Sequence, residues 1–308
     1  MWSFGNGITR YMIGNRKMIE KRWKEQGVHL FLIVAASTSL VIVALIFVFL
    51  FREAAPFAMS PGIGELFGSR WTPVSFQREL FGMYPLVTGS LLVTAIATVI
   101  AVPFGVCGAV YLAEMANNRE REVLKPFIEL LAGIPSVVIG FFGLVVLAPI
   151  VKSVFGLSSG LTALTGALLL ALMAIPTIMS ISEDAIRSVP VSYRQASLAL
   201  GASELQTIWT VTVPAALPGI IAATMLGMGR VIGETMAVMM VTGNAPIMTF
   251  SPFESVRTMT ATIAAEMGEV PFGSDHYRAL FWVGIVLLLA TFALNVFAQR
   301  VLKKYRMG

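Results

Sequence analysis

Long stretches without a charged side chain alternate with short polar segments along this chain. Six of these stretches reach or exceed the roughly 20 residues that a helix needs to cross the hydrocarbon core of a bilayer. They cover residues 28–51, 80–113, 130–151, 153–182, 205–229 and 279–299. None shows the alternation of apolar and polar residues that marks a strand of a membrane β-barrel. Because lipid cannot hydrogen-bond backbone N–H and C=O groups, a helix is the remaining way to span the membrane. The pattern therefore predicts an all-α membrane protein with six transmembrane helices.

The composition supports this class of protein. Hydrophobic residues make up 56% of the chain and charged residues 13%, whereas soluble domains contain about a quarter charged residues. Cys107 is the only cysteine, so we predict neither a disulfide framework nor a thiol metal site. The first apolar stretch is too long for a signal peptide and lacks a cleavage site, and we expect it to be retained as the first span.

Lys and Arg are distributed unevenly between the connecting segments. If the N-terminus is cytoplasmic, the inner segments hold fifteen of these residues and the outer segments hold six. The positive-inside rule then predicts a multi-pass protein of a bacterial inner membrane with both termini in the cytoplasm. The net charge of +5 reflects the same bias. There is no basic stripe with interleaved aromatic residues, so nucleic-acid binding is not expected.

The segments between the spans are too small to bury a hydrophobic core of their own outside the membrane. The predicted segments are a basic N-terminal segment (1–27), the first span (28–51), an outer loop (52–84), a core of five spans (85–302) with an inner loop (183–214) and an outer segment (244–278), and a tail (303–308). The chain has no G-x-x-x-x-G-K-[ST] phosphate-binding loop. Any ATP hydrolysis must therefore take place on another chain.

Both outer segments are expected to lie at the membrane surface. We place Trp71 and Tyr84 of the first one at the membrane–water interface, where aromatic side chains are enriched. Residues 255–267 of the second favour a short outer or re-entrant helix. His29 and His276 have no cluster of partners in the sequence, and we interpret neither as a ligand.

The inner loop 183–214 carries two helix-start signals. Two four-residue strings, beginning at Ser192 and Ser203, match the capping box in which Ser and Gln satisfy the first amides of a helix. Pro190 precedes the first string and Gly201 separates the two. The loop is therefore predicted to form two short helices joined by a tight turn.

This loop resembles the EAA loop of ABC importer permeases, whose pattern is E-A-A-x3-G-x9-I-x-L-P. The matching residues are Gln195-Ala196-Ser197, Gly201 and Val211-Thr212-Val213-Pro214. In that family the helix before the Gly sits in a cleft of the ATPase subunit. The resemblance assigns ATPase coupling to Tyr193, Gln195, Ala196, Ser197, Gly201 and Ala202. Gln195 stands where the family often has Glu, so an ion pair there is in doubt, while a capping role is still expected.

Two charged residues lie within the fifth span, in the stretch 211–241 that is otherwise free of charge. Arg230 and Glu234 lie four residues apart, which places them on one helix face, and a charge at the bilayer centre costs about 3 kcal/mol on insertion scales. One interpretation is an ion pair that only joins helices. The other is a cationic fork for a tetrahedral oxyanion, tuned or gated by the carboxylate. Gly229 and Gly233 form a G-x-x-x-G step that predicts close helix packing.

A break is also predicted in the third span. Pro135 cannot continue a helix, and the glycines around it leave the segment thin. We count Pro135 with the helix-packing residues. Ser136 is a candidate pore-lining donor, and Thr235 is a further candidate for the substrate pathway.

Three strings resemble the C-type permease subunit of phosphate-specific ABC importers. They are Trp71-Thr72-Pro73 with Phe81-Gly82, the stretch GIPSVVIGFFG at 133–143, and GRVIGETMAV at 229–238. The resemblance implies a type I ABC importer permease fold and inward transport of inorganic phosphate. It also implies a second homologous permease, two copies of an ATPase subunit that hold ATP and Mg, and a periplasmic phosphate-binding protein. No cofactor and no catalysis are expected on this chain.

Three alternatives remain open from the sequence. The cargo is molybdate, tungstate or sulfate in the nearest one, because those permeases carry a similar R-x-x-G-E string. An ion-coupled secondary transporter would need several intramembrane carboxylates or an inverted repeat. A structural membrane anchor gives no reason to retain Arg230.

Overall fold

The computed structural model describes residues 6–75 and 78–306, with side chains for 27–75, 78–300 and 303. Parts of the predicted terminal segments 1–27 and 303–308 therefore lie outside the described residues, together with most of their basic side chains. The chain divides into two compact units, Met1–Glu53 and Ala54–Gly308. In the first unit the described side chains from 27 to 49 are all exposed. The core clusters and the candidate site belong to the second unit.

Helices account for most of the described chain, and one two-stranded hairpin accompanies them. The elements are α1 (Asn6–Phe57), β1 (Trp71–Thr72), β2 (Leu80–Phe81), α2 (Tyr84–Val110), α3 (Asn118–Ala132), α4 (Ser136–Phe142), α5 (Ala148–Phe155), α6 (Ala163–Arg187), α7 (Val191–Ala199), α8 (Glu204–Thr207), α9 (Val213–Gly233), α10 (Met236–Val241), α11 (Met259–Glu266) and α12 (Asp275–Arg306). Short π-helical turns extend α2, join α4 to α5 and join α8 to α9.

Six helical segments of the described residues are long and apolar enough to cross a membrane. They are Gly27–Phe67, Tyr84–Met115, Ser136–Phe155, Ala163–Arg187, Glu204–Gly233 and Asp275–Arg300. The predicted all-α fold with six spans is confirmed.

Close packing of α2, α6 and α9 forms the centre of the second unit. Ile178 of α6 is only 1% exposed and lies between glycines of both neighbouring helices. A Cβ at Gly105 of α2 would come within 2.8 Å of the Ile178 side chain, and one at Gly227 of α9 within 2.5 Å. Small residues let helix backbones approach in this way, so both positions require glycine.

A second cluster surrounds the β-hairpin. Trp71 pairs with Phe81 across the two antiparallel strands, and both pack with Phe57 and Leu280. Trp71 is 1% exposed, so its predicted place at the lipid interface is wrong; the indole is a core side chain. Tyr84 is 45% exposed, as an interfacial side chain would be. The end of the helices that carries this hairpin is called the hairpin end below.

Two predicted span boundaries are wrong because an uncharged stretch is not always helical. The run 130–151 is divided at Pro135, which lies in extended backbone between α3 and α4. The run 153–182 contains the turn between α5 and α6, where Gly156 adopts a left-handed conformation with φ +62°. Proline and glycine, not charge, set both boundaries. The short helix predicted within 255–267 is present as α11, Met259–Glu266.

Candidate functional site

The fifth spanning helix is interrupted beside its two charged residues. α9 ends at Gly233, Glu234 is extended with φ −70° and ψ 132°, and a new short helix, α10, begins at Met236. The Glu234 carboxylate accepts hydrogen bonds from the backbone amides of Thr235 (3.1 Å) and Ala237 (3.2 Å). Acceptors at this position satisfy the free amides of a helix N-terminus. Glu234 therefore caps α10.

Arg230 bonds to two neutral oxygen atoms from other helices. Its guanidinium donates to the Thr177 hydroxyl at 3.2 Å and to the Ala132 carbonyl at 3.1 Å. Ala132 is the last residue of α3, so the guanidinium lies at a helix C-terminus, where the helix dipole favours a cation. The residue is partly exposed. Arg230 thus joins α9 to α3 and α6 at the break before Pro135.

The predicted stacking of Arg230 and Glu234 on one helix face is wrong. The i, i+4 relation holds only within a continuous helix, and the chain leaves helical geometry at Glu234. No ion pair forms between them; among the side chains that the structure describes, neither makes a salt bridge. Each charge is bonded only to neutral groups.

The other predicted pathway residues lie around the same break. Thr235 follows Glu234 directly, and its hydroxyl donates to the Gly233 carbonyl at 3.2 Å. Ser136 begins α4 just beyond Pro135 and is partly exposed, but it makes no described contact with Arg230. Thr177 was not predicted from the sequence. Its place after Pro176, as a hydroxyl within an apolar run, was the available signal.

The predicted G-x-x-x-G packing does not occur among the described residues. A Cβ at Gly229 or Gly233 would meet nothing within 4 Å among the described residues, and both glycines are exposed. Gly219 and Gly227 instead face α6, against Ala185 and Ile178. The glycine face that packs on α6 is therefore offset from the predicted one.

The inner loop forms the predicted helix, turn and helix. Gly201 has φ +85° between α7 and α8, a conformation that favours glycine. The Ser203–Gln206 capping box is present. The first box is wrong: α7 begins at Val191 after Pro190, so the capping role of Gln195 is not seen, and its side chain is exposed.

The predicted coupling residues lie on the outside of this loop. Tyr193, Ala196 and Gly201 are exposed, whereas Ala202 is partly buried. Ser197 is also partly buried and shares a 2.9 Å hydrogen bond with the Thr207 hydroxyl. Apolar side chains are exposed beside them, namely Val191, Leu198 and Leu200, the last at 90%. An apolar surface of this kind on a polar loop is typical of a protein–protein contact.

A group of ion pairs that the sequence did not predict fixes α3 to α6 near this loop. Glu183, whose side chain is 1% exposed, binds Arg121 and Lys125 at 2.6 Å each. Lys125 also binds Asp184 at 2.9 Å. Partial burial lowers the pKa of Lys125, but hydrogen bonds and attraction from Glu183 and Asp184 outweigh it, so the pKa lies above its ordinary value. Lys125 is therefore charged.

No group of His, Cys, Asp and Glu side chains that could hold a metal occurs among the described residues. The arrangement consists of spanning helices with an interrupted helix at a cation and an exposed helical loop at one end. These features are typical of a multi-pass membrane transport subunit.

The chain belongs to the family described as "Binding-protein-dependent transport system inner membrane component", which matches residues 105–306. It is 44% identical over 222 residues to the "Probable ABC transporter permease protein YqgH" of Bacillus subtilis, covering 72% of each chain. It is 34% identical to the "Phosphate transport system permease protein PstC" of Mesorhizobium japonicum, covering 79% of each. PstC 2 of Mycobacterium bovis is 30% identical over 92% of this chain and 94% of that protein.

Solved structures share the fold. A chain of a bacterial ABC transporter involved in the import of the acidic polysaccharide alginate aligns with a TM-score of 0.62 at 14% identity, over 94% of this chain and 98% of that one. A chain of the inward-facing MetNI methionine ABC transporter aligns with a TM-score of 0.56 at 18% identity, over 72% and 97%. The predicted type I ABC importer permease fold is confirmed, as is the resemblance to phosphate permeases.

These relationships settle the general role of the chain. It is a multi-pass, non-catalytic permease subunit of an ABC transporter, and such subunits carry no cofactor of their own. Membership of the family implies ATPase and substrate-binding partners.

Proposed function

We propose that this chain is a permease subunit through which an ATP-driven importer moves inorganic phosphate into the cytoplasm. The observation that carries the proposal is the bonding of Arg230: its acceptors, the Thr177 hydroxyl and the Ala132 carbonyl, are neutral. The positive charge is therefore not cancelled by a carboxylate. A guanidinium in this state can exchange neutral acceptors for the oxygens of an oxyanion, which form stronger, charge-assisted bonds.

The relatives support phosphate as the cargo. Several similar proteins carry the name phosphate transport system permease protein. The geometry at Arg230 also suits other tetrahedral oxyanions, so molybdate, tungstate and sulfate are the second candidates. The family's dependence on a binding protein disfavours an ion-coupled secondary transporter.

The proposed assembly contains a second homologous permease, two ATPase subunits with ATP and Mg, and a periplasmic phosphate-binding protein. Exposed Gly229 and Gly233 leave room for the second permease at the helix break. The exposed face of α7, with Tyr193, Gln195 and Ala196, is the proposed ATPase contact. Gly201→Trp should then uncouple ATP hydrolysis from uptake, because tryptophan is strained at φ +85°.

The proposed orientation places both termini in the cytoplasm. Alkaline phosphatase, which is active only outside the cytoplasm, should be active when fused after Glu65 and inactive when fused after Gln195. The opposite pattern would overturn the orientation.

Uptake of radiolabelled phosphate into proteoliposomes that hold the complete transporter tests the proposal. Arg230→Gln removes the charge and should lower uptake about tenfold or more, since a hydrogen bond to a charged group contributes about 1.5–3 kcal/mol. Arg230→Lys keeps the charge without the fork and should retain part of the uptake. The matched control is Arg78→Gln, because Arg78 is 71% exposed.

Co-purification of the ATPase subunit separates transport from assembly. All three variants should retain it. Normal phosphate uptake by an assembled Arg230→Gln transporter would refute the proposed role of the guanidinium. Competition by molybdate, tungstate or sulfate that exceeds competition by unlabelled phosphate would assign the cargo to the second candidates.

A further inference from the structure

The proposed coupling helix α7 has few ties to the rest of the described chain. No residue of α7 is buried. Among the described side chains, only Arg194 and Ser197 of this helix bond to another element. Ser197 contacts Thr207 of α8, which follows α7 after a short turn. Arg194 alone bonds to an element that is not next to α7 in sequence, the end of α2.

Arg194 connects three helices. Its guanidinium lies 2.5 Å from the Glu114 carboxylate at the end of α2 and donates to the Ile186 carbonyl in the last turn of α6 at 3.3 Å. Glu114 belongs to the π-helical turn Tyr111–Met115. That turn ends the second spanning segment, eighty residues before Arg194 in the chain. One side chain thus links α7 to the ends of two spanning helices.

The ion pair is protected from solvent on the side of α2. The Glu114 side chain is 7% exposed and that of Arg194 is 25% exposed. A carboxylate buried to this degree needs a cationic partner, because desolvation without one is costly. Arg194 and Glu114 both line a cavity of about 440 Å³, which Leu198 of α7 and Glu204 and Leu205 of α8 line as well. The pair therefore bridges a space between α7 and the end of α2.

Without Arg194, a displacement of α7 would reach the spans through its chain connections, at Pro190 toward α6 and at Gly201 toward α8, and through the Ser197–Thr207 hydrogen bond. No hydrogen bond or ion pair of a described side chain would then join α7 directly to α2. With Arg194 in place, the same displacement acts on α2 and α6 together.

We propose that Arg194 is a positioning residue for energy coupling: through Glu114 and Ile186 it passes movement of α7 to α2 and α6. This inference rests on the proposed function, in which an ATPase subunit moves α7. Arg194 is not among the coupling residues predicted from the sequence. The proposal also makes α2, in addition to α6, a spanning helix that receives the movement of α7.

The test is the number of ATP molecules hydrolysed per anion imported by the complete transporter in proteoliposomes. Arg194→Gln and Glu114→Gln each remove one charge and should raise this ratio about fivefold or more, the low end of ordinary coupling energies. Hydrolysis itself should stay within about twofold of wild type, because the exposed face of α7 is unchanged. The double variant Arg194→Glu/Glu114→Arg restores the attraction and should recover at least half of the coupling.

Arg187→Gln is the matched control: Arg187 is 44% exposed at the same end of α6 and pairs with Glu183 of its own helix at 3.7 Å. Its loss removes a cation without touching α7 and should leave the ratio unchanged. A purely structural role would lower hydrolysis and import in parallel, and that result would overturn the proposal. If the Arg194→Gln transporter fails to assemble, the Glu114→Gln transporter serves as the test, because the amide keeps the shape of the carboxylate. An unchanged ratio of ATP hydrolysed to anion imported would also overturn the proposal. Should the wild type import another oxyanion, the proposed cargo fails while the ratio remains measurable with that anion.

Discussion

Two Arg–Glu systems in the second unit follow opposite rules. At the hairpin end, Arg257 and Glu266 form an ion pair of 2.6 Å. The same carboxylate lies 2.8 Å from His276 and accepts the Trp71 indole N–H at 3.1 Å. At the helix break, Arg230 and Glu234 bond only to backbone and hydroxyl groups. In the first system the two charges are paired with each other, whereas in the second they are separated and each is bonded to neutral groups.

The difference indicates which charges are available for function. Glu266 has three side-chain partners, and the side chains of Glu266, Arg257 and His276 are all at most 16% exposed. Splitting that network leaves a buried charge unpaired, which is costly. Arg230 can change acceptors at lower cost, because neither of its present ones is charged. Under the proposed function, an anion therefore competes for Arg230 at the helix break and not for Arg257 at the hairpin end.

The largest effect is expected at Glu266. Glu266→Gln keeps the shape but leaves Arg257 without its counter-charge, and should destabilise the protein by about 3 kcal/mol. Thermal unfolding of the purified protein in detergent measures this as a lower melting temperature. Glu79→Gln is the control, because Glu79 is an exposed carboxylate at the same hairpin end. Equal melting of the two variants would show that the closed network is not stabilising.

The next effect is expected at Trp71. Trp71→Phe keeps an aromatic ring against Phe81, with which the indole makes an edge contact at 6.3 Å, but it removes the N–H donor to Glu266. Loss of a hydrogen bond to a charged group costs about 1.5–3 kcal/mol. A double variant with Glu266→Gln should lose less than the sum of the single losses, since the two share one bond. Strict additivity would exclude the bond.

The six spans could be predicted from the sequence because the hydrophobic pattern of a spanning helix is local. The turn at Gly201 and the capping box at Ser203 were local as well. The boundaries at Pro135 and Gly156 were missed because charge alone defined the runs. A membrane helix can end at a proline or a glycine without any polar residue.

The residues of the candidate site could be predicted from the sequence, but their contacts with one another could not. Arg230 and Glu234 stand out as charges within an apolar stretch, yet their separation depends on a helix break that no spacing rule predicts. Thr177, Glu114 and Glu183 contact residues more than fifty positions away. Such partners follow from tertiary packing, which the hydrophobic pattern does not specify. His276 had no visible partner in the sequence for the same reason.

A moderate effect is expected at Thr177. Thr177→Val removes one neutral acceptor of Arg230 while keeping the side-chain shape, and a hydrogen bond of this kind contributes about 1 kcal/mol. The concentration of phosphate that gives half-maximal uptake should change about fivefold, with the melting temperature nearly unchanged. Thr177→Ser keeps the hydroxyl and should behave as the wild type. If Val and Ser variants have equal uptake, the hydroxyl does not position the guanidinium.

The smallest effect on stability is expected at Glu234, the counterpart of Glu266. Glu234→Gln keeps an oxygen acceptor for the amides of Thr235 and Ala237, so we expect the free energy of unfolding to fall by about 0.5 kcal/mol or less. Glu234→Ala removes the cap and should lower it by about 1 kcal/mol. Melting temperatures of both variants, compared with that of Glu266→Gln, measure the contrast. A loss at Glu234→Gln as large as that at Glu266→Gln would mean that the Glu234 charge is paired after all, and that Arg230 is not free to receive an anion.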